Sequence, residues 1–254
     1  MRLTAEVPRV REILDRFDRQ VRCQPQGGGV ERAEGVVRLL GDGWRGVTWS
    51  GLGGLDADAV IAREVERFAG LGPWEWKLYA HDVPTDLGER LAAAGLARGA
   101  EEALLLGEIG ALQLPGTLPT GVELRDVSDE HGVAVFMAVH AAAFGEPPDD
   151  GRWLLDEVLA GRQAAVIAVA GDLPICAGRV EFYPGSDFAG LFGGGTLPGW
   201  RGRGVFRAVV ARRAVIAAER GYRWLQVDAM PASRPILESM GFELLGTTTP
   251  FTHA

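Results

Sequence analysis

The stretch Arg201-Gly202-Arg203-Gly204-Val205-Phe206 stands between a strand-like run, Phe188–Thr196, and a helical one, Val205–Arg220. Glycines at such a junction let the backbone turn tightly and leave amide groups uncovered. Successive N–H groups at a helix N-terminus form a cradle for an anion, and the helix dipole adds to it. A pyrophosphate held there would rest on main chain, with the arginine side chains contributing charge. The alternative is a plain glycine-arginine surface turn. Two other phosphate-binding patterns are excluded. Lys77 is the only lysine beside 25 arginines, so no Gly-Lys-Ser/Thr loop exists. The dinucleotide fingerprint fails as well, because position 207 is arginine and no third glycine follows Gly202-x-Gly204 at its spacing.

Other reactive side chains are sparse. A Schiff-base enzyme would have to use Lys77, inside the apolar run Trp74–Tyr79. The histidines, His81, His131, His140 and His253, form no His-Glu-x-x-His and have no cysteine pairs nearby, so no metal site is expected. Cys176, between Ile175 and Ala177, reads as core. Glu181 lies in a strand whose alternation could turn it toward a cleft as a general base; the other reading is a solvated strand face. Asp228 ends a strand and reads as a ligand or as a helix cap. His140 falls on an apolar helix stripe and reads as a core histidine. Trp74, Trp76 and Trp224 read as core, and Trp200 beside the loop is left unassigned.

The elements that must position these residues follow from pattern. Pro115-Gly116 and Pro119-Thr120-Gly121 punctuate the stretch Gly107–Gly121, which divides the chain into residues 1–118 and 119–254. In the second part a strand at Val122–Arg125 precedes a helix capped by Ser128 and broken by Pro147-Pro148; Asp149 or Asp150 opens a second helix. Ala164–Ala170, Pro174–Tyr183 and Phe188–Thr196 form an antiparallel meander, with Gly171-Asp172 as its hairpin turn. Then come the loop, the helix ending at Gly221, the strand Trp224–Asp228, a short helix Ser233–Met240 and a final strand Glu243–Thr249. Strand, loop, helix and strand within about 40 residues predict a right-handed parallel crossover. The first part partly echoes this order: strands at Gly35–Leu40 and Gly46–Gly51, a helix Asp56–Ala69 capped by Asp56, the strand Trp74–Tyr79, a helix Thr85–Ala94 and the strand Ala103–Leu106. Its loop, Gly51–Asp56, has no arginine.

The order of these elements, with Arg201-x-x-Gly204 at the strand-to-helix turn, resembles the GNAT acyltransferase family, whose loop pattern is Arg/Gln-x-x-Gly-x-Gly/Ala. Ala232–Phe242 is similar to that family's closing helix and Gly-Phe turn. The resemblance covers roughly residues 122–250 and is strongest over 194–242. It implies a mixed α/β acyl-CoA N-acyltransferase fold in tandem, with a degenerate N-terminal copy. It also implies acetyl-CoA as cofactor, its pyrophosphate on Arg201, Gly202, Arg203, Gly204, Val205 and Phe206 and its pantetheine arm along Thr196 and Leu197. A backbone amide near Thr196 would polarise the thioester carbonyl, and Ser233 matches the polar residue that starts the closing helix near the cofactor. Glu146, between the first two helices, falls in the region that lines the acceptor site in similar proteins. Two positions depart from the pattern. Phe206 stands where the family usually has Gly or Ala, and Leu237 stands where many members have a tyrosine that protonates the leaving thiolate.

Hydrophobic residues make up 47% and charged residues 24% of the 254, an ordinary globular balance that excludes disorder and coiled coil. No apolar run approaches a membrane span, and the first residues lack the apolar core of a secretory signal. Two cysteines fit a reducing compartment, so a cytoplasmic protein is expected. The net charge of −8 disfavours nucleic acid and slightly favours cationic small molecules. The expected activity is transfer of an acetyl group to a primary amine of a small-molecule or peptide acceptor by direct attack, with self-association as a homodimer left open. The alternatives are a non-catalytic acyl-CoA-binding or regulatory module and a structural protein with a vestigial cradle.

Overall fold

The computed structural model describes residues 3–26, 29–41, 43–115, 117–145, 147 and 149–253. Gly116, Glu146 and Pro148 lie outside the described residues. Two compact units divide the chain. The first comprises Met1–Leu104, Ala229–Pro231 and Leu245–Ala254, and the second Leu105–Asp228 and Ala232–Leu244. This differs from a division at 118/119. The turn-rich stretch falls inside the second unit, and the end of the chain returns to the first.

The first unit opens with α1 (Leu3–Phe17), continued by a π-helical turn, Asp18–Cys23, an opening that periodicity did not single out. Strands β1 (Val30–Ala33), β2 (Val36–Leu40) and β3 (Arg45–Ser50) form an antiparallel meander. Helix α2 (Ala57–Phe68) then crosses to β4 (Trp74–Tyr79), which pairs with β3 in parallel. Asp56 caps α2 by accepting the Ala59 N–H, as expected from its position before the apolar period. Helix α3 (Leu87–Ala93), the two-residue β5 (Ala97–Arg98) and β6 (Glu102–Glu108) follow. Val36, Val47, Ile61, Phe68, Trp74, Trp76, Leu91 and Phe251 make the core. Phe251 comes from the last strand, whose residues Thr248–His253 pair antiparallel with β4.

The second unit repeats the order with longer strands: β7 (Val122–Val127), α4 (Glu130–Phe144), α5 (Arg152–Leu159), β8 (Gln163–Ala170), β9 (Leu173–Phe182) and β10 (Phe188–Thr196). Then come α6 (Val205–Glu219), β11 (Trp224–Ala229), α7 (Arg234–Glu238) and β12 (Glu243–His253), which belongs to the first unit from Leu245 onward. Strands β7 to β10 are antiparallel neighbours, and β10 pairs with β11 in parallel through the α6 crossover. The cap of α4 is Asp129, which accepts the Gly132 N–H, not Ser128; a carboxylate one residue later takes the same donor position. Gly145, with φ of 74°, ends that helix. Val133, Phe136, Met137, Leu154, Ala165, Ile167 and Ala177 pack α4 and α5 onto the sheet.

Candidate functional site

Strands β10 and β11 begin together and then part. Their parallel register runs from Phe188↔Trp224 to Gly190↔Gln226 only, while β10 continues six residues to Thr196. A bulge between Phe192 and Gly195 bends the strand beyond that point. The sequence Phe192-Gly193-Gly194-Gly195 permits this. Gly193 takes φ of 58°, and a Cβ on Gly195 would stand 2.8 Å from Ala143 and Phe144 of α4.

The bulge is held from the other face by a residue that sequence reasoning missed. Arg213 of α6 is 1% exposed. Its guanidinium donates to the carbonyls of Arg179 (3.0 Å), Phe192 (3.4 Å) and Val209 (3.2 Å), occupying the space over Gly178. Burial pushes its pKa down to about 10. His140, read as core, is only partly buried; it stacks on Phe136 and lies tilted against Phe144, and a Cβ on Gly193 would lie 3.3 Å from its ring.

Past Thr196 the chain makes a 3-10 turn at Pro198–Trp200 and enters the loop. Gly202 and Gly204 have φ of 72° and 80°, conformations that any other L residue adopts only under strain. Gly204 caps α6 without a side-chain hydrogen bond, and the first turn of α6 carries no acidic residue. The helical ladder starts with Ala208 N–H bonding to Gly204 C=O, so the N–H groups of Val205, Phe206 and Arg207 precede it. A Cβ on Gly202 would meet nothing within 4 Å, and one on Gly204 only Pro119 at 3.7 Å. The glycines therefore serve backbone conformation and leave the cradle open. Phe206 does not obstruct it: its ring packs toward β10, 3.1 Å from where a Cβ on Gly194 would stand.

Arg201 turns back, its Nε donating to Thr196 C=O at 3.0 Å and its guanidinium to Ala143 C=O at 3.2 Å. The guanidinium of Arg203 lies 4.8 Å from the Trp200 ring centroid. Because the N–H and C=O of one strand residue point to the same side, the Thr196 amide faces the side of β10 opposite β9. The Leu197 amide is committed to Ile175 C=O at 2.9 Å. The Thr196 hydroxyl meets the Cys176 sulfur at 3.1 Å, and Cys176 is fully buried, as the core reading requires. Ser233 takes the N-cap position of α7 without a side-chain cap bond. Leu237 is buried and offers no proton. Gly241, with φ of 96°, makes the Gly-Phe turn, and Phe242 N–H returns to Leu237 C=O.

Glu181 is not brought to Thr196. It pairs in register with Gly190, whereas Thr196 pairs with Cys176, five residues along β9. At the rise of a strand that is about 17 Å, well beyond direct hydrogen-bond reach or one bridging water. Glu181 stands level with the place where β10 and β11 part. It is partly buried, and that burial pushes its carboxyl above the usual range, against the pull of Arg179. Lys77 is tied to Glu102 at 3.0 Å. Two surface cavities, of about 460 and 220 Å3, lie along β7 and β8; no residue of 196–206 lines either one.

No family model and no curated protein matches the chain. Solved structures do. A GCN5-related N-acetyltransferase from Kribbella flavida is 18% identical with a TM-score of 0.68, over 95% of this chain and 94% of that one. Another from Sphaerobacter thermophilus gives 12% and 0.58, over 88% and 75%. A tandem GNAT protein from the clavulanic acid biosynthesis pathway gives 13% and 0.59, over 96% and 94%. The chain has the mixed α/β GNAT fold, and it has it over the length of a tandem protein.

Proposed function

We propose that the second unit is an N-acetyltransferase that moves an acetyl group from acetyl-CoA to a primary amine by direct attack. One observation carries this reading. A strand parts from its parallel neighbour and leads into a glycine loop whose helix N-terminus is uncapped and free of acidic residues. The residues fit an anionic cofactor: amides from Gly202 to Phe206 receive the pyrophosphate, Arg203 adds charge, and the parted strands leave room for the arm along Leu197 and Thr196. Bound acetyl-CoA supplies the acetyl group.

What the chain contributes is position and proton handling. A β10 amide on the side that β11 vacates receives the developing oxyanion, a contribution on the order of 3 kcal/mol. Glu181 and the Thr196 amide cannot both serve one thioester at their separation. With the reacting carbon near the parting point, Glu181 is about 5 Å away, one strand over, and takes the proton of the attacking amine. The Thr196 amide then holds the arm. The leaving thiol, with an ordinary pKa near 8.5, departs without a protein acid, consistent with Leu237.

The test is thiol release from acetyl-CoA by the full chain across a panel of primary amines. Acceptor-dependent release is expected, and Glu181→Gln should lower kcat and abolish the rise of rate with pH in the acid limb. No binding and no release with any amine contradicts the reading. The buried Leu237 favours one second reading, an acyl-CoA-binding module, for which the same assay gives binding without release.

A further inference from the structure

Strand β9 carries a second arrangement, on the face turned toward α5. Arg179 and Glu181 share that face, two residues apart. The guanidinium carbon of Arg179 lies 5.0 Å from the ring centroids of both Trp153 and Phe192. Its Nε is buried and has no hydrogen-bond partner; neither has the buried Oε1 of Gln163, the register partner of Glu181 on β8. The Tyr183 hydroxyl closes one side, 2.3 Å from where a Cβ on Gly190 would stand. Trp153, Arg179, Glu181, Tyr183 and Phe192 are each partly exposed, so the recess is open to solvent.

Glu181 pulls on Arg179, yet the two form no ion pair. Across the sheet, Arg213 gives its hydrogen bonds to carbonyls and to no carboxylate. Glu157, the other carboxylate near Glu181, is held by both its oxygens on Arg162, at 2.7 and 2.8 Å. A buried cation without an anion or a full set of acceptors is costly. A guanidinium flanked by two rings, with a donor edge unspent, is the arrangement that receives a planar carboxylate on two parallel bonds.

We propose that this recess binds an amine that also carries a carboxylate, the carboxylate on Arg179 and the amino group at Glu181 and Gln163. The acceptor is then of the amino-acid class, against the slight preference for cationic small molecules that the net charge alone suggests. The inference deepens the acetyltransfer reading and rests on it for the fate of the amine, but not for binding.

Calorimetry on the full chain would compare glycine, β-alanine and 4-aminobutyrate with methylamine, ethylamine and propylamine, the same amines without the carboxylate. Acetyl-CoA is titrated separately. Binding of at least one carboxylated amine about tenfold or more tighter than its counterpart is expected, with that difference lost in Arg179→Met, reduced in Arg179→Lys, and acetyl-CoA affinity unchanged in both. Equal binding of the paired compounds, binding of none of the three amino acids, or a preference that survives Arg179→Met overturns the proposal. Should Arg179→Met fail to fold, the wild-type comparison and Arg179→Lys decide. Amino-acid binding without acetyl-CoA binding refutes the acetyltransfer reading and leaves the recess standing; acetyl-CoA binding without amino-acid binding does the reverse.

Discussion

Glu181 and Arg213 show how burial sets the behaviour of single residues. A carboxyl whose folded pKa is raised is neutral in both states at low pH. As pH climbs through the ordinary carboxylate range, the unfolded chain ionises first, so the fold loses stability there. Replacing Glu181 by Gln removes that loss. The stability of Glu181→Gln relative to wild type should therefore rise between pH 4 and pH 7 in urea unfolding, and a relative stability that falls over this range contradicts the assignment. Arg213→Met removes the donor shared by the Arg179, Phe192 and Val209 carbonyls. Leaving buried acceptors without a donor in this way costs about 1–3 kcal/mol, read as a lower urea midpoint, and acetyl-CoA affinity should fall as the β10 bulge relaxes. Strand alternation left Glu181 between a cleft and a solvated face, and its partial burial was not legible. Nor was Arg213: in Ala211-Arg212-Arg213-Ala214 nothing separates a buried arginine from its neighbour Arg212, which lies on the surface in an ion pair with Asp126. Two of the three carbonyls that accept from Arg213 belong to strands 20 or more residues away in sequence, as the separations of 34 and 21 residues show.

The helices α2 and α6 follow corresponding strands in the two units, yet their N-termini are opposite in chemistry. At α2, Asp56 accepts the Ala59 N–H and Asp58 adds charge in the first turn, so the end that would attract an anion is filled from within. At α6 Gly204 has no side chain to place there. Gly204→Asp should thus weaken acetyl-CoA binding about tenfold or more, while Gly204→Asn, neutral and tolerant of a left-handed backbone, should cost distinctly less. Equal losses would mean that shape and not charge governs the cradle. The loop, the meander and the crossover of the second part could be read from glycine placement and apolar period, since these are local signals. The last strand was too short in that reading, ending at Thr249 rather than His253. Pairing of Thr248–His253 with β4 joins residues about 170 apart, and no local pattern carries it.

At the scale of the whole chain, both units follow the order of antiparallel meander, crossover helix and parallel strand, but only the second has the open cradle. No helix among the described residues is long and apolar enough to cross a membrane. The chain's net charge of −8 repels a polyphosphate at long range, so affinity must come from the local amides of the loop. Raising ionic strength should screen that repulsion and leave acetyl-CoA binding intact or slightly tighter, whereas binding to a basic surface would weaken. The recurring order of elements was legible, while the return of the last residues to the first unit was not, because a linker's composition marks a turn and not where the chain later packs. The most direct test of the account is a calorimetric titration of the full chain with acetyl-CoA, alongside Gly204→Asp. The account predicts saturable binding at a single site per chain, strongly weakened in the variant. Two equivalent sites, no binding by the wild type, or an affinity indifferent to Gly204→Asp would contradict it.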